Sequence, residues 1–301
     1  MSRSQPGHNN LNKADQKKTD QKKIKQNNTM MRKAIFALVW VLAALAAGAQ
    51  TYNTDKDISY RPDSTDPYCQ QKCKLDLYYP ADKPGFPTVV WFHGGGLTGG
   101  NREIPAELRE QGLGVVGVSY RLCDNPMDST ITTADCVDDA AAAAAWVVKN
   151  IERYGGDPSQ IYLAGHSAGG YLVMMIGFDK ARLAKYGVDP DTAFKALIPF
   201  SGQAITHFQN RRQRGMGDLN PLIDENAPLY YVRGNCPPIL LICGQREREL
   251  FGRYEENAYL WRMLQLHHHP DAQLLEVDGF DHGTMVRPAH LILLEYIRNR
   301  K

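Results

Sequence analysis

The sequence predicts an α/β fold, with helices on both faces of a mostly parallel sheet. Three observations predict it. Runs such as "PTVVWF" and "ILLIC" are continuously apolar rather than alternating, as expected of strands covered on both faces. Segments with the apolar spacing of helices lie between these runs. Glycines stand at several strand ends, where the chain must turn sharply. No repeat of 20 to 50 residues, of the kind that builds solenoids, is visible.

Taken in order, "CKLDLYYP" (73–80) alternates apolar and polar residues before a proline and reads as an antiparallel edge region. "PTVVWFHGGG" (87–96) and "GVVGVSYR" (114–121) are buried strands. A long helix is expected over 134–153, its alanines at 140–145 permitting close packing on the sheet. "YGGDP" supplies its terminal glycines and proline. "QIYLAG" (160–165) is the next strand and "SAGGYLVMMIGF" (167–178) the helix leaving it. "FKALIPFSG", "PPILLICG" and "AQLLEVDGF" add three strands, with helices over 253–267 and 289–300. Residues 203–233 are irregular, polar and proline-containing. They read as a short lid-like or substrate-shaping insertion.

The first 49 residues read separately. Residues 1–33 hold nine Lys or Arg and two Asp without apolar periodicity, so they cannot bury a core. The apolar run Ala34–Ala47 follows Arg32 and Lys33 and ends in Ala47-Gly48-Ala49. This is the pattern of a signal peptide cut between Ala49 and Gln50, which implies a secreted or periplasmic protein. Met30 or Met31 is the more ordinary start, and an uncleaved anchor is the alternative. The run is short for a bilayer, so no stable membrane span is expected in the mature form. The whole chain holds 35 basic and 33 acidic residues, a net +2. Without the leader, 26 basic and 31 acidic residues remain, and the balance falls to about −5. Nucleic acid is therefore not an expected partner. The 252 residues from Gln50 onward suffice for one domain with a sizeable core. Six cysteines in an exported chain allow disulfides without dictating a cysteine scaffold. Cys69 and Cys73 stand four apart, Cys123 and Cys136 flank one loop, and the pairing stays open.

The chemistry centres on "AGHSAGG". Gly165, Ser167 and Gly169 fit G-x-S-x-G, in which a strained strand-to-helix turn exposes a serine hydroxyl. A nucleophilic serine needs a base, an orienting acid and donors for the oxyanion. "WFHGGG" precedes it, and the N–H groups of Gly94 and Gly95, with that of Ala168, are the expected oxyanion hole. His93 is read as fixing that loop. Of nine histidines, His282 lies in a glycine-flanked loop after the last strand, where the base belongs. His267, His268 and His269 read as solvated at a helix end, and His207 and His290 sit elsewhere. The acid belongs in the loop after "ILLICG" (239–244), where Glu247 and Glu249 are both available.

With "HGGG", "GHSAGG" and "GFDHG" in place, residues 72–300 resemble the α/β-hydrolase fold esterase/lipase family, including its hormone-sensitive-lipase-like and acetyl- or feruloyl-esterase-like members. The resemblance implies an acid three residues after the glycine that ends its strand, hence Glu247, with Glu249 as competitor. It further implies a serine carboxylesterase using Ser167, His282 and Glu247, with no cofactor or metal, acting on a small-molecule or carbohydrate ester. The polar residues of 203–233 suggest short acyl groups on a hydroxyl-bearing carrier. An amidase or peptidase on the same triad, or a non-catalytic binding protein of this fold, are the alternatives.

Overall fold

The computed structural model describes residues 50–125 and 127–300, together with 30, 31 and 33. The expected leader and cleavage site fall, but for those three positions, outside the described residues. The elements from residue 50 onward are β1 (Tyr52–Ser59), α1 (Pro67–Lys72), β2 (Lys74–Pro80), β3 (Phe86–Phe92), β4 (Gly114–Val118) and α2 (Thr133–Asn150). Next come β5 (Gly156–His166), α3 (Ala168–Phe178), α4 (Lys180–Ala184), α5 (Pro190–Ala193), β6 (Ala196–Phe200) and α6 (Phe208–Gln213). The last are β7 (Ile239–Gly244), α7 (Arg253–Leu266), β8 (Ala272–Val277) and α8 (Val286–Arg298).

The strands form one sheet in the order β1-β2-β4-β3-β5-β6-β7-β8. β1 pairs antiparallel with β2, and β2 with β4. The other neighbours are parallel. All seven residues of β3 are buried. Val90 and Phe92 face one core, shared with the alanines of α2 and with α3 and α7. Val89 and Trp91 face the other, shared with Met285 and with Leu293 of α8. A period-two backbone with apolar cover on both sides explains the continuous apolar runs.

α2 begins one residue before its expected start. Thr132 accepts from the Asp135 N–H, and the Asp135 carboxylate accepts from the Thr132 N–H. Such a capping box stabilises a helix by about 1 kcal/mol. Ala140 to Ala145 are all buried, so the short side chains let α2 lie close to its neighbours. The α-helix stops at Asn150, and a 3-10 turn over Ile151–Tyr154 ends at Gly155, whose φ of +87° suits glycine. α8 starts at Val286, three residues earlier than expected. Five elements, β1 and the short helices α1, α4, α5 and α6, have no counterpart among the expected ones. β1 is polar and half exposed, an edge strand held by its ladder to β2 rather than by a buried face.

Residues 203–233 depart from a loose polar lid. Gln203, Thr206, His207, Gln209 and Arg211 are buried. Arg211 donates to the carbonyl oxygens of Thr206, Asp218 and Asn220. Asp224 accepts from Thr206 Oγ1 at 2.7 Å and from Arg214 at 2.6 Å. These polar groups hold an irregular backbone together where no sheet partner exists. Among the described residues no helix is long and apolar enough to cross a membrane.

Candidate active site

Ser167 sits between β5 and α3 with φ +54° and ψ −112°, a conformation that costs a non-glycine residue energy. Its neighbours explain why the turn holds. A Cβ on Gly169 would lie 2.0 Å from the Phe92 carbonyl oxygen, and one on Gly165 would lie 2.7 Å from the Gly169 backbone. Only glycines let β3, β5 and α3 converge this closely. The Ser167 N–H donates to Phe200 O at 2.8 Å, locking the elbow to β6. The side chain stands at the carboxyl ends of the parallel strands, where α/β sheets bind ligands.

Gly94 lies beside it, since a Cβ there would come 3.5 Å from Ser167 Cβ. Gly95 has φ +111°, and a Cβ on it would strike Gly99 O at 2.4 Å. Gly95 O accepts from the N–H groups of Thr98 and Gly99, which closes this loop on itself. Ala168 opens α3, where the first N–H groups lack intrahelical partners. The structure thus places Gly94 against Ser167, with Gly95 next in the same loop and Ala168 next in the chain. His93 holds the loop from below. Its Nδ1 donates to Gly94 O at 2.7 Å, its ring stacks on Tyr120 at 4.4 Å, and Tyr120 donates to His93 O at 2.9 Å. Burial pulls its pKa down to about 4, so it is neutral near pH 7.

His282 lies in the turn between β8 and α8. Asp281 organises this turn by accepting from the N–H groups of Gly283 and Thr284 at 3.0 and 2.8 Å. His282 Nδ1 is 3.0 Å from Glu249 Oε2 and 3.3 Å from Oε1. With Nδ1–H given to that carboxylate, Nε2 is left as the basic nitrogen.

The acid is the point of difference from the sequence expectation. Glu247, three residues after Gly244, is exposed on a 3-10 turn over Arg246–Arg248 and accepts from Gln245 Nε2 at 3.2 Å. The His282 partner is Glu249, whose side chain is fully buried. The turn is the reason. Gln245 is pinned to the His282 loop, its N–H donating to Phe280 O and its Oε1 accepting from Gly279 N. The N–H groups of Arg248 and Glu249 both return to Gln245 O, so the chain completes a full turn before pointing inward. Burial raises the Glu249 pKa. Hydrogen bonds from His282 and Ser201 and the charge of Arg253 outweigh it, and the net shift is downward.

Two residues of the site were not singled out from the sequence: Ser201 lies outside the motifs, and His166 fills a position that G-x-S-x-G leaves open. Ser201, at the end of β6, donates to Glu249 Oε1 at 2.9 Å, and its carbonyl accepts from Arg253. His166 donates from Nε2 to His282 O at 2.8 Å, its ring centroid 4.7 Å from that of His282. Burial, then the neighbouring His282, lower its pKa to about 4. His166 therefore ties the elbow to the backbone of His282. No direct hydrogen bond joins Ser167 Oγ to the imidazole; such contacts often tighten only when substrate enters. Two other histidines have structural roles. His269 is buried, contrary to its expected solvation, and bonds to Cys236 O at 2.9 Å. His207 caps α6 through the Gln209 N–H at 3.1 Å.

A cleft of about 460 Å³ opens beside the acid turn, walled by Gln203, Phe208, Leu219, Leu250, Phe251 and Arg253. Phe208 rests against Gly96 of the oxyanion loop. Phe251 and Leu219 are 77% and 70% exposed, so this mouth is more apolar than the composition of 203–233 implied. A larger hollow of about 800 Å³, between Tyr78, Glu107 and His290, lies beyond the His282 loop and includes no residue of the elbow or the acid turn.

A family model, BD-FAE, matches residues 75–251, more than half of the chain. Similar curated proteins include a probable isoprenylcysteine alpha-carbonyl methylesterase of Oryza sativa subsp. japonica, 40% identical over 108 residues, 34% of this chain and 24% of that protein. Another is a carboxylesterase of Mycobacterium tuberculosis, 36% identical over 124 residues, 39% of this chain and 36% of that protein. The chain thus spans about a quarter to a third of the length of these relatives. Among solved structures, a truncated carbohydrate esterase from gut microbiota superposes with a TM-score of 0.65 at 19% identity, over 83% of this chain and 96% of that one. Esterase B of Lactobacillus rhamnosis gives 0.63 at 21% identity, over 89% and 96%. At such identities the structural likeness shows the fold. The family match is what decides membership: the chain belongs to the BD-FAE family, on an α/β-hydrolase fold.

Proposed function

We propose that this protein is a serine carboxylesterase with Ser167 as nucleophile, His282 as base and Glu249 as the acid that orients it. The observation that carries the reading is the strained Ser167 elbow lying against Gly94, with His282 held through Nδ1 by a buried carboxylate. Ser167 Oγ attacks the ester carbonyl carbon while its proton passes to His282 Nε2. The carbonyl oxygen takes the negative charge and is held by the N–H groups of Gly94, Gly95 and Ala168. Collapse expels the alcohol, which leaves with the proton from His282. Water then attacks the acyl-enzyme by the same route and frees the acid.

The reading extends to short acyl groups on carbohydrate. An exposed Phe251 offers a flat apolar face, and Arg212, Asp218 and Glu255 beside it offer hydrogen bonds to hydroxyl groups. It extends also to export, on the leader motif, with Gln50 as the mature N-terminus. Stoichiometric phosphonylation by an organophosphate, lost in Ser167→Ala, tests the mechanism. Absence of labelling in the wild type overturns it. Hydrolysis of acetyl against dodecanoyl p-nitrophenyl esters, beside acetylated xylan, tests the substrate. Faster cleavage of the long chain overturns the carbohydrate reading.

A further inference from the structure

We propose that Cys123 and Cys136 form a disulfide that braces the wall of the substrate cleft. Cys123 follows β4 and Cys136 lies in the first turn of α2, thirteen positions on. Their Sγ atoms are 3.7 Å apart and both side chains are buried, so the two sulfurs already lie against one another.

What the pair encloses gives it a function. The Cys123 N–H donates to Leu97 O at 2.8 Å, next to the oxyanion glycines. The enclosed loop and the start of α2 are the platform on which α6 docks. Gln209 donates to Asp124 at 2.5 Å, Gln213 to Ile131 O at 3.1 Å and Asn210 to Thr133 Oγ1 at 2.8 Å. α6 in turn carries Phe208 into the cleft. A covalent tie across this loop therefore restrains the oxyanion loop and the cleft wall together.

The oxidant is a disulfide of low molecular weight or of a protein thiol oxidase. One cysteine thiolate attacks it and forms a mixed disulfide, releasing one thiol. The second thiolate attacks that mixed disulfide, closes the Cys123–Cys136 bond and releases the other thiol. Two protons leave the cysteines and two electrons pass to the oxidant. The Cys136 thiol, beside Cys123 and buried, is pushed far above the ordinary thiol range. Attack therefore belongs to the folding chain, before α6 covers the loop, and the finished bond is shielded from reductants.

The test is refolding of the full chain, denatured and reduced, in a buffer of oxidised and reduced glutathione. Blocking free thiols and mapping peptides by mass should show Cys69, Cys73, Cys236 and Cys243 alkylated and Cys123 linked to Cys136. The oxidised protein should melt about 5–10 °C above the same protein refolded in reductant. In Cys123→Ala and in Cys136→Ala that difference should vanish while the reduced form keeps its own Tm. Six alkylated cysteines, a bond between Cys69 and Cys73 alone, or an unchanged difference in both variants would overturn the proposal.

Discussion

Replacing Glu249 by Gln should cripple the enzyme, while the same change at Glu247 should pass almost unnoticed. Gln keeps the shape and the hydrogen bond from Ser201, whose hydroxyl is 2.9 Å from Oε1. It removes the charge 3.0 Å from His282 Nδ1. In the transition state that imidazole becomes a cation. A charge-assisted hydrogen bond contributes about 1.5–3 kcal/mol, and two unit charges ~4 Å apart at an effective dielectric of about 20 attract by about 4 kcal/mol. These overlap, so the combined loss is about 4–5.5 kcal/mol, or 10³- to 10⁴-fold in kcat at about 1.36 kcal/mol per decade. A Gln amide facing Nδ1 also favours the wrong tautomer, which acts in the same direction. Glu247 is exposed and accepts from Gln245 rather than from His282, so Glu247→Gln should stay within about twofold of wild type. Initial rates on p-nitrophenyl acetate, with Tm measured on the same preparations, separate catalysis from folding. A Glu249→Gln enzyme within tenfold of wild type at unchanged Tm, or a larger loss at Glu247, refutes the assignment.

Further outcomes follow from the same geometry. His166→Leu removes the donor to His282 O and should lower kcat about ten- to hundredfold with little change in KM, because a displaced base slows proton transfer rather than binding; a KM effect alone would contradict a positioning role. Gly169→Ala forces a Cβ to within 2.0 Å of Phe92 O and should lower Tm by about 6–12 °C, read by calorimetry. His93, His166 and His290 are each held near pKa 4 by burial, against 6.5 when unfolded. The unfolded chain therefore binds their protons first, and stability is whole above pH 6.5 and lost as pH falls toward 4. Near pH 5 the slope should be about 4 kcal/mol per pH unit from the three together, and urea midpoints that stay flat between pH 6.5 and 4.5 would refute it.

The sequence alone determined what depends on neighbours in the chain. Strands buried on both faces announced themselves as unbroken apolar runs, because each face needs its own apolar cover. The elbow was legible because three segments crowd so tightly there that glycine is required at fixed spacing around Ser167. His282 stood out as the histidine in a glycine-flanked loop after the last strand. Tertiary structure decided whatever depends on distant partners. The carboxylate paired with His282 is Glu249 rather than Glu247 because Gln245 is clamped to Phe280 and Gly279, over thirty positions away, and this sets where the turn ends. β1 shows no apolar pattern because its ladder to β2 supplies the stabilisation that a buried face would otherwise provide. The polar residues of 203–233 looked like a wet lid, yet Gln203, His207 and Arg211 are buried and satisfy backbone groups, a use that composition does not distinguish from exposure. His166 and Ser201 act through single hydrogen bonds to groups 116 and 48 positions away, contacts that exist only once the sheet has brought its strand ends together.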